Sequence, residues 1–204
     1  MSYKKYFQFI GLILCLNFLA ACTVTELDAD GNPILPKDPN AIVSFQDFTL
    51  SEVADELWQP KVFPEATQDF VSWDSIKSQL DAQQIITKQS YFVRLNGTVE
   101  SVDLGRIKGI IKLKVGDTSI DLQVGRVIKG NSIRDASKYV LFDDFKNQIR
   151  FAQISREFNS RAMLSVGKPD SSWVSEEISV IAAITVDQNT IRDAVPMQIT
   201  RGGQ

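Results

Sequence analysis

The chain has 204 residues, with 22 Lys and Arg against 25 Asp and Glu, a formal net charge of −3 and 44% apolar residues. That suits one domain with a modest extension and gives no basic excess for holding a polyanion. It contains no histidine and two cysteines, Cys15 and Cys22, so Ser-His-Asp and Cys-His catalysis and the usual His-ligated zinc sites are excluded.

The chain opens MSYKKYFQFIGLILCLNFLAAC. Lys4 and Lys5 precede an apolar run from Tyr6 to Ala21, which is short of the about 20 residues of a membrane span. A basic start, a short apolar run and small residues at its end predict a secretory signal peptide over residues 1–21. Leu19-Ala20-Ala21-Cys22 resembles a bacterial lipobox. The resemblance implies a diacylglyceryl group on the Cys22 sulfur, cleavage before it, and an acylated new N-terminus. Acyl chains held in a membrane make the bilayer the first expected partner. Cys15 would leave with the signal and Cys22 would carry lipid, so no thiol would remain for a disulfide, a nucleophile or a metal. Thr23, rather than Asp, follows Cys22. This leans towards the outer membrane and leaves inner against outer undecided.

Residues 22–44 read as a lipidated tether, rich in Asp, Asn, Gly and Pro without an apolar period. Asp28, Asp30 and Asn32 hint at a calcium loop, but Pro33 and Pro39 stand where an EF-hand needs Gly and Glu. Residues 45–88 read as an N-terminal helical pair. Thr49 caps LSEVADELW, with Glu52 three residues on to complete a capping box. Pro60 and Pro64 are expected to break the chain. The second helix covers DSIKSQLDAQQI, and the pair is expected to pack on the end or side of the main domain.

From Tyr91 the apolar period changes to two. Tyr91, Val93, Leu95, Gly97 and Val99 alternate with polar residues, as do Ile107, Gly109, Ile111, Leu113 and Val115, then Ile120, Leu122 and Val124. These predict an antiparallel meander with one face buried, its glycines permitting close approach at bends. A helical region is expected from about Ser132 to Met163, with Asp143 or Asp144 as a cap. Phe145, Ile149, Ala152 and Met163 form one stripe; Phe151, Ile154 and Phe158 form another. Ile178, Val180, Ala182, Ile184 and Val186 make a fourth strand, and Val195, Met197 and Ile199 a fifth. Three strands, a helix and two strands is the order of an OB-fold. The expected class is therefore mostly β with helices (α+β): an OB-like five-stranded antiparallel barrel over residues 89–204, with an N-terminal helical pair and a helix between strands three and four. A two-sheet sandwich with a helical insert is the alternative.

GRVIKGNS at 125–132 is one residue from a phosphate loop, with Asn131 in place of the Lys. Val127 and Ile128 suit the end of the third strand, with Gly130 turning out of it, and Lys129 lies on the wrong side of the glycine. No nucleotide is expected. Lys108, Lys112 and Lys114 form a basic stripe, but few aromatics interleave with them and the chain is acidic, so no nucleic acid is expected. Asp143-Asp144 and Glu176-Glu177 are adjacent carboxylates whose neighbours point apart. NSIRDA at 131–136 recurs as NTIRDA at 189–194 without matching flanks. Arg134, Asp135, Asn147, Gln148 and Arg150 are the densest polar cluster. They read either as a network fixing the helix on the barrel or as an interaction surface. No cofactor, metal or catalytic residue is expected.

The stretch LQVGRVIKGNSIRDASKYVLFDDFKNQIRFAQI, residues 122–154, with LWQPKVFP at 57–64, NGTVESVD at 96–103 and AVPMQIT at 194–200, resembles a family of predicted periplasmic lipoproteins of unknown function. The resemblance covers most of the chain after Cys22 and carries no assigned catalytic residues. Members are often encoded beside ABC-type sugar transporters, which implies an accessory, non-catalytic role towards a component of such a system. A ligand-binding or sensing lipoprotein with a pocket lined by Trp58, Trp73 or Trp173 is the alternative, and a carboxylate-dependent envelope hydrolase is the third reading.

Overall fold

The computed structural model describes residue 45 and residues 47–202. The signal peptide, the tether, Cys22 and the Asp28–Asn32 stretch lie outside the described residues. Residues 43–204 form one compact unit, so the helical segment and the barrel share a single body. In chain order it contains α1 (Leu50–Leu57), a π turn (Trp58–Val62), α2 (Phe63–Gln68), β1 (Val71–Ser72) and α3 (Trp73–Asp81). Then come β2 (Gln89–Leu104), β3 (Gly109–Val115), β4 (Thr118–Gln123), α4 (Ser132–Ala136), α5 (Gln148–Val166), β5 (Glu177–Asp187) and β6 (Thr190–Arg201).

The sheet runs β4-β3-β2-β5-β6, with all of these pairs antiparallel, and the two-residue β1 adds to β2 in parallel. β2 is shared between two halves of the sheet. Its first half, Gln89–Thr98, pairs with β5, and its second half, Thr98–Leu104, pairs with β3. The strand bends where the halves meet. A Cβ on Gly97 would lie 2.1 Å from the Lys114 carbonyl oxygen, so only glycine permits this approach, and a bulge follows between Val99 and Ser101. The bend brings the free sides of β4 and β6 against each other, where Gln123 Nε2 donates to Asp193 Oδ1 at 3.3 Å. The result is a curled, OB-like half-barrel with α5 inserted between its third and fourth long strands.

Two cores result, one on each face of the sheet. The inner one is filled by Val93, Leu95, Ile111, Leu113, Ile120, Leu122, Val180 and Ile184, with Trp73 and Trp173 packed into it. The outer one joins Phe92, Ile181, Ala183, Val195 and Met197 to α1, the π turn and α5. Its centre is Trp58 stacked on Phe158, with ring centroids 6.0 Å apart. β5 is covered on both faces, which explains why it is buried almost continuously from Ile178 to Val186.

The expected capping box is present: Thr49 N–H donates to Glu52 Oε2 at 2.7 Å, and Glu52 N–H to Thr49 Oγ1 at 3.3 Å. Five expectations need correction. Pro60 does not break the first helix. The chain widens into a π turn closed by Phe63 N–H to Trp58 O, which accommodates a residue with no N–H, and Pro64 then occupies the first turn of α2, where its missing donor costs nothing. The helix expected over 132–163 is two helices. Ser137 leaves α4 in extended conformation because its hydroxyl donates to the buried Glu65 carboxylate at 2.6 Å, and Lys138 N–H joins it at 3.1 Å. Asn147, not Asp143 or Asp144, caps α5, its Oδ1 accepting from Arg150 N–H at 3.0 Å, and Ile149, placed on an apolar stripe from sequence, is exposed. In β6 a register shift opposite Ile181 and Ala182 turns Val195 and Met197 to the outer core, whereas Ile199 packs against the inner one.

Truncating the stacked ring tests the outer core. Phe158→Ala is expected to lower unfolding free energy by about 3–5 kcal/mol through lost burial and a residual cavity, read from urea denaturation midpoints at unchanged slope.

Candidate functional site

The five polar residues singled out from sequence gather around the first turn of α5, in two groups. Arg134 is 9% exposed. Its Nε and Nη2 grip Asp135 Oδ1 at 2.8 and 2.5 Å, its Nη1 donates to the Phe151 carbonyl at 3.0 Å, and its guanidinium lies 4.1 Å from the Phe151 ring centroid. Asp135 also meets Lys88 at 3.5 Å. Arg134 thus holds α4 to the start of α5. In the second group, Asn147 caps the helix, and Arg150 Nη2 donates to the carbonyls of Phe45 and Phe48, tying the entry of the compact unit to α5. Arg150 Nε is buried without an acceptor among the described residues. Gln148 is exposed. The two guanidiniums therefore face inward, and Asn147 and Gln148 form the outer rim.

Around that rim lie apolar side chains that the sequence reading did not single out as a surface. Leu141, Phe142 and Ile149 are 56%, 50% and 68% exposed, and Tyr139 lies near the same loop with Lys61 and Lys138 against its ring. Phe142 is held outward by an edge contact with Phe151, which in turn packs on Phe145. The signal in the sequence was Tyr139, Leu141 and Phe142 falling in a stretch of no helical period between two caps.

The other sequence candidates have structural partners. Backbone N–H groups of the 124–131 loop are donated inside the fold rather than left to wrap a phosphate: Val127 N–H to Ile107 O at 3.1 Å, and Lys129 N–H to Gln123 Oε1 at 2.8 Å. Val127 and Ile128 lie beyond the end of β4, and Gly130 turns there with φ +87°. Lys112 sits 4.0 Å from Asp121, and Lys114 Nζ donates to the Asp117 carbonyl. Glu176 is gripped by Arg201, which holds its carboxyl below the usual range through that hydrogen bond. Trp58, Trp73 and Trp173 are all buried within the two cores. Ser132 and Thr185 carry hydroxyls, but these bond to each other at 2.9 Å beneath α4. Among the described residues, no group of three or more His, Cys, Asp or Glu is placed to hold a metal, and no helix is long and apolar enough to cross a membrane. The two NxIRDA copies adopt different structures, a short helix and a strand, yet they approach in space: Gly130, just before the first copy, faces Asp193 of the second.

The family model "Predicted periplasmic lipoprotein (DUF2291)" matches residues 12–200. The chain belongs to this family. As a DUF2291 member it is one of a set of predicted periplasmic lipoproteins, in keeping with a place in the cell envelope. A solved OB-fold protein from Thermotoga maritima MSB8 is similar to it, with a TM-score of 0.57 and 18% identity, covering 77% of this chain and all of that one. At that identity the likeness speaks for the fold alone, and it agrees with the curled sheet and its inserted helix. A comparison with curated proteins gives no match.

Asp193 offers a test of the electrostatics where β4 meets β6. Burial raises its carboxyl above the usual range, against the pull of Lys88, the Gln123 hydrogen bond and Lys129. A carboxyl with a raised folded pKa binds more protons folded than unfolded, so its contribution weakens as pH rises through the carboxylate range. Asp193→Asn keeps the acceptor for Gln123 without the charge. It is expected to be at least as stable as wild type at pH 7 and to lose any advantage below about pH 4, by urea denaturation at the two pH values.

Proposed function

We propose that the protein is a membrane-tethered, non-catalytic module of the bacterial envelope that docks on a protein component of a sugar ABC transport system. The observation that carries the docking role is the rim of Leu141, Phe142 and Ile149 beside Asn147 and Gln148, exposed on a frame rigidified by Arg134 and Arg150. Exposed apolar side chains rimmed by polar groups are the usual mark of a protein contact. The frame explains why the polar cluster serves that role without being the contact itself: its charges order the loop and the helix start, and the apolar rim presents area. The link to sugar uptake is supported by the family resemblance alone. The non-catalytic reading is supported by a chain without histidine and by carboxylates and hydroxyls that the fold already uses. The anchor is Cys22, with removal of residues 1–21, and Thr23 favours the outer membrane.

Two measurements check this reading. Cys22→Ser is expected to abolish incorporation of labelled fatty acid; continued labelling would refute the anchor. A photo-crosslinking side chain at position 148 of the anchored protein is expected to capture a sugar-binding protein or permease, identified by mass spectrometry. That capture should fall at least tenfold with Leu141→Asp and Ile149→Asp together. Recovery of lipid and abundant envelope proteins alone, or capture indifferent to those substitutions, would overturn it.

A further inference from the structure

At a different place on the molecule two loops carry nearly the same pattern. The β2–β3 connection reads LGRIKG at 104–109, and the segment after β4 reads VGRVIKG at 124–130. They are paired in space. Val124 N–H donates to Gly109 O, and Val127 N–H to Ile107 O. A Cβ on Gly125 would lie 2.3 Å from Gly109 N, so the close approach depends on glycine. Their apolar tips point to solvent: Leu104, Ile107 and Val127 are each half exposed or more. Residues 105–108 and 124–131 carry four cations and no acid. Lys108 and Lys129 turn towards a groove that also holds Asp121 and Asp193, whereas Arg106 and Arg126 form no ion pair among the described residues.

Beside these tips is a concavity of about 440 Å³ between the 124–131 loop and α5. Arg126 is on one wall and Arg156 on the other, and Arg156 also lacks an ion pair among the described residues. Asn159 lines it and is 5% exposed; its Nδ2 makes a long 3.4 Å contact to Gly130 O, and its Oδ1 is buried with no donor among the described residues. A buried carbonyl oxygen without a donor is costly, and a bound hydroxyl would relieve it. Arginines on both walls of one concavity suit a phosphate oxygen. Continuing along α5 from Arg156 and Ser160, Leu164 lies on the same stripe and is 83% exposed.

We infer that this face docks on an anionic phospholipid surface. Ile107, Val127 and Leu164 would enter the interface, Arg106 would sit at the phosphate level, and one headgroup would lie between Arg126 and Arg156 with a headgroup hydroxyl on Asn159. Apolar side chains flanked by cations are the composition of an interfacial contact, and the patch is basic on a chain whose net charge is negative. A bilayer is also the one partner always within reach of a lipoprotein. Even fully extended, residues 22–44 would keep the compact unit within roughly 80 Å of the anchor, so the contact forms at high effective concentration. This inference is independent of the protein partner proposed above, whose surface is around the first turn of α5.

The test uses the unacylated chain from residue 22 onward with Cys22→Ser, so that acyl chains do not mask the contact and no thiol remains. It is expected to float with vesicles containing phosphatidylglycerol and not with pure phosphatidylcholine vesicles, and to be released by salt. Each cation near such a surface contributes about fivefold in affinity, so Arg106→Glu with Arg126→Glu should cut binding at least tenfold while leaving the denaturation midpoint unchanged. An environment-sensitive dye on Ile107→Cys should shift to the blue on phosphatidylglycerol vesicles, and the same dye on Ile149→Cys should not. Equal binding to both vesicle types, no effect of the charge reversals, or a blue shift at position 149 rather than 107 would overturn the inference. Binding of glycerol phosphate by the free protein together with no binding to phosphatidylglycerol vesicles would also overturn it, reassigning the cavity to a free anion.

Discussion

The structure depends on one constraint, the bend in β2. This 16-residue strand pairs with β5 over its first half and, on its other edge, with β3 over its second, and a change of direction between the halves lets the two partners curl towards each other. The change is made at Gly97, where the Lys114 carbonyl occupies the space a side chain would need. Once β2 bends, its two neighbours curl towards each other and β4 meets β6. The inner face then closes over branched aliphatic side chains, and the outer face becomes a convex surface that helices must cover. Much of what lies outside the sheet answers that second need, while Trp73 and Ile76 of α3 and Trp173 close the inner face. α1, the π turn and α5 bring Trp58, Val62 and Phe158 to β5 and β6. The remaining side chains of α5 and the loops that flank it include exposed apolar residues such as Ile149, Leu164 and Val127.

The strands were legible because alternation is a local property. Val93, Leu95, Ile111, Leu113, Ile120 and Leu122 each took the face their spacing predicted, and the order of strands and helix pointed to the OB-like arrangement. The departures have long-range causes. Nothing near Ser137 reveals that it will leave the helix for Glu65, which is 72 residues away. Pro60 reads as a break on propensity, but Trp58 and Val62 on either side of it are both buried, so burial carries the chain through in a wider turn. The bulge in β6 shifts Val195 and Met197 to the other face, and no period within a 12-residue strand announces a one-residue slip.

The polar cluster shows a different limit. Sequence density picked out Arg134, Asp135, Asn147, Gln148 and Arg150 because such residues near a helix start have work to do there. Density cannot say whether a guanidinium faces out or in. Arg134 closes on Asp135 and a backbone carbonyl, and Arg150 on two carbonyls that come from 102 and 105 residues earlier. Conversely, Ile149 looked like core by its spacing and lies outside. On this helix the apolar and charged residues have exchanged their usual places at the first turn, and that exchange is why the surface there is apolar on a rigid polar frame.

On the non-catalytic reading proposed above, a chain without histidine, several of whose carboxylates and hydroxyls sit in caps, clamps and strand edges, acts through its surfaces. The distribution of cations supports this. Lys77, Lys138, Arg161 and Arg201 are each matched by a carboxylate within the fold. Arg106, Arg126 and Arg156 form no ion pair among the described residues, and Arg106 and Arg126 belong to the loops that carry Leu104, Ile107 and Val127. Cations beside exposed apolar area are the composition that a headgroup layer over hydrocarbon can engage at once. The rim near Gln148 differs: its apolar residues sit on an aromatic stack, Phe142 on Phe151 on Phe145, which fixes their positions in a way that a fluid surface does not need and a shaped protein surface does. Rigidity at one face and exposed, cation-flanked loop tips at the other fit the two different partners proposed for them.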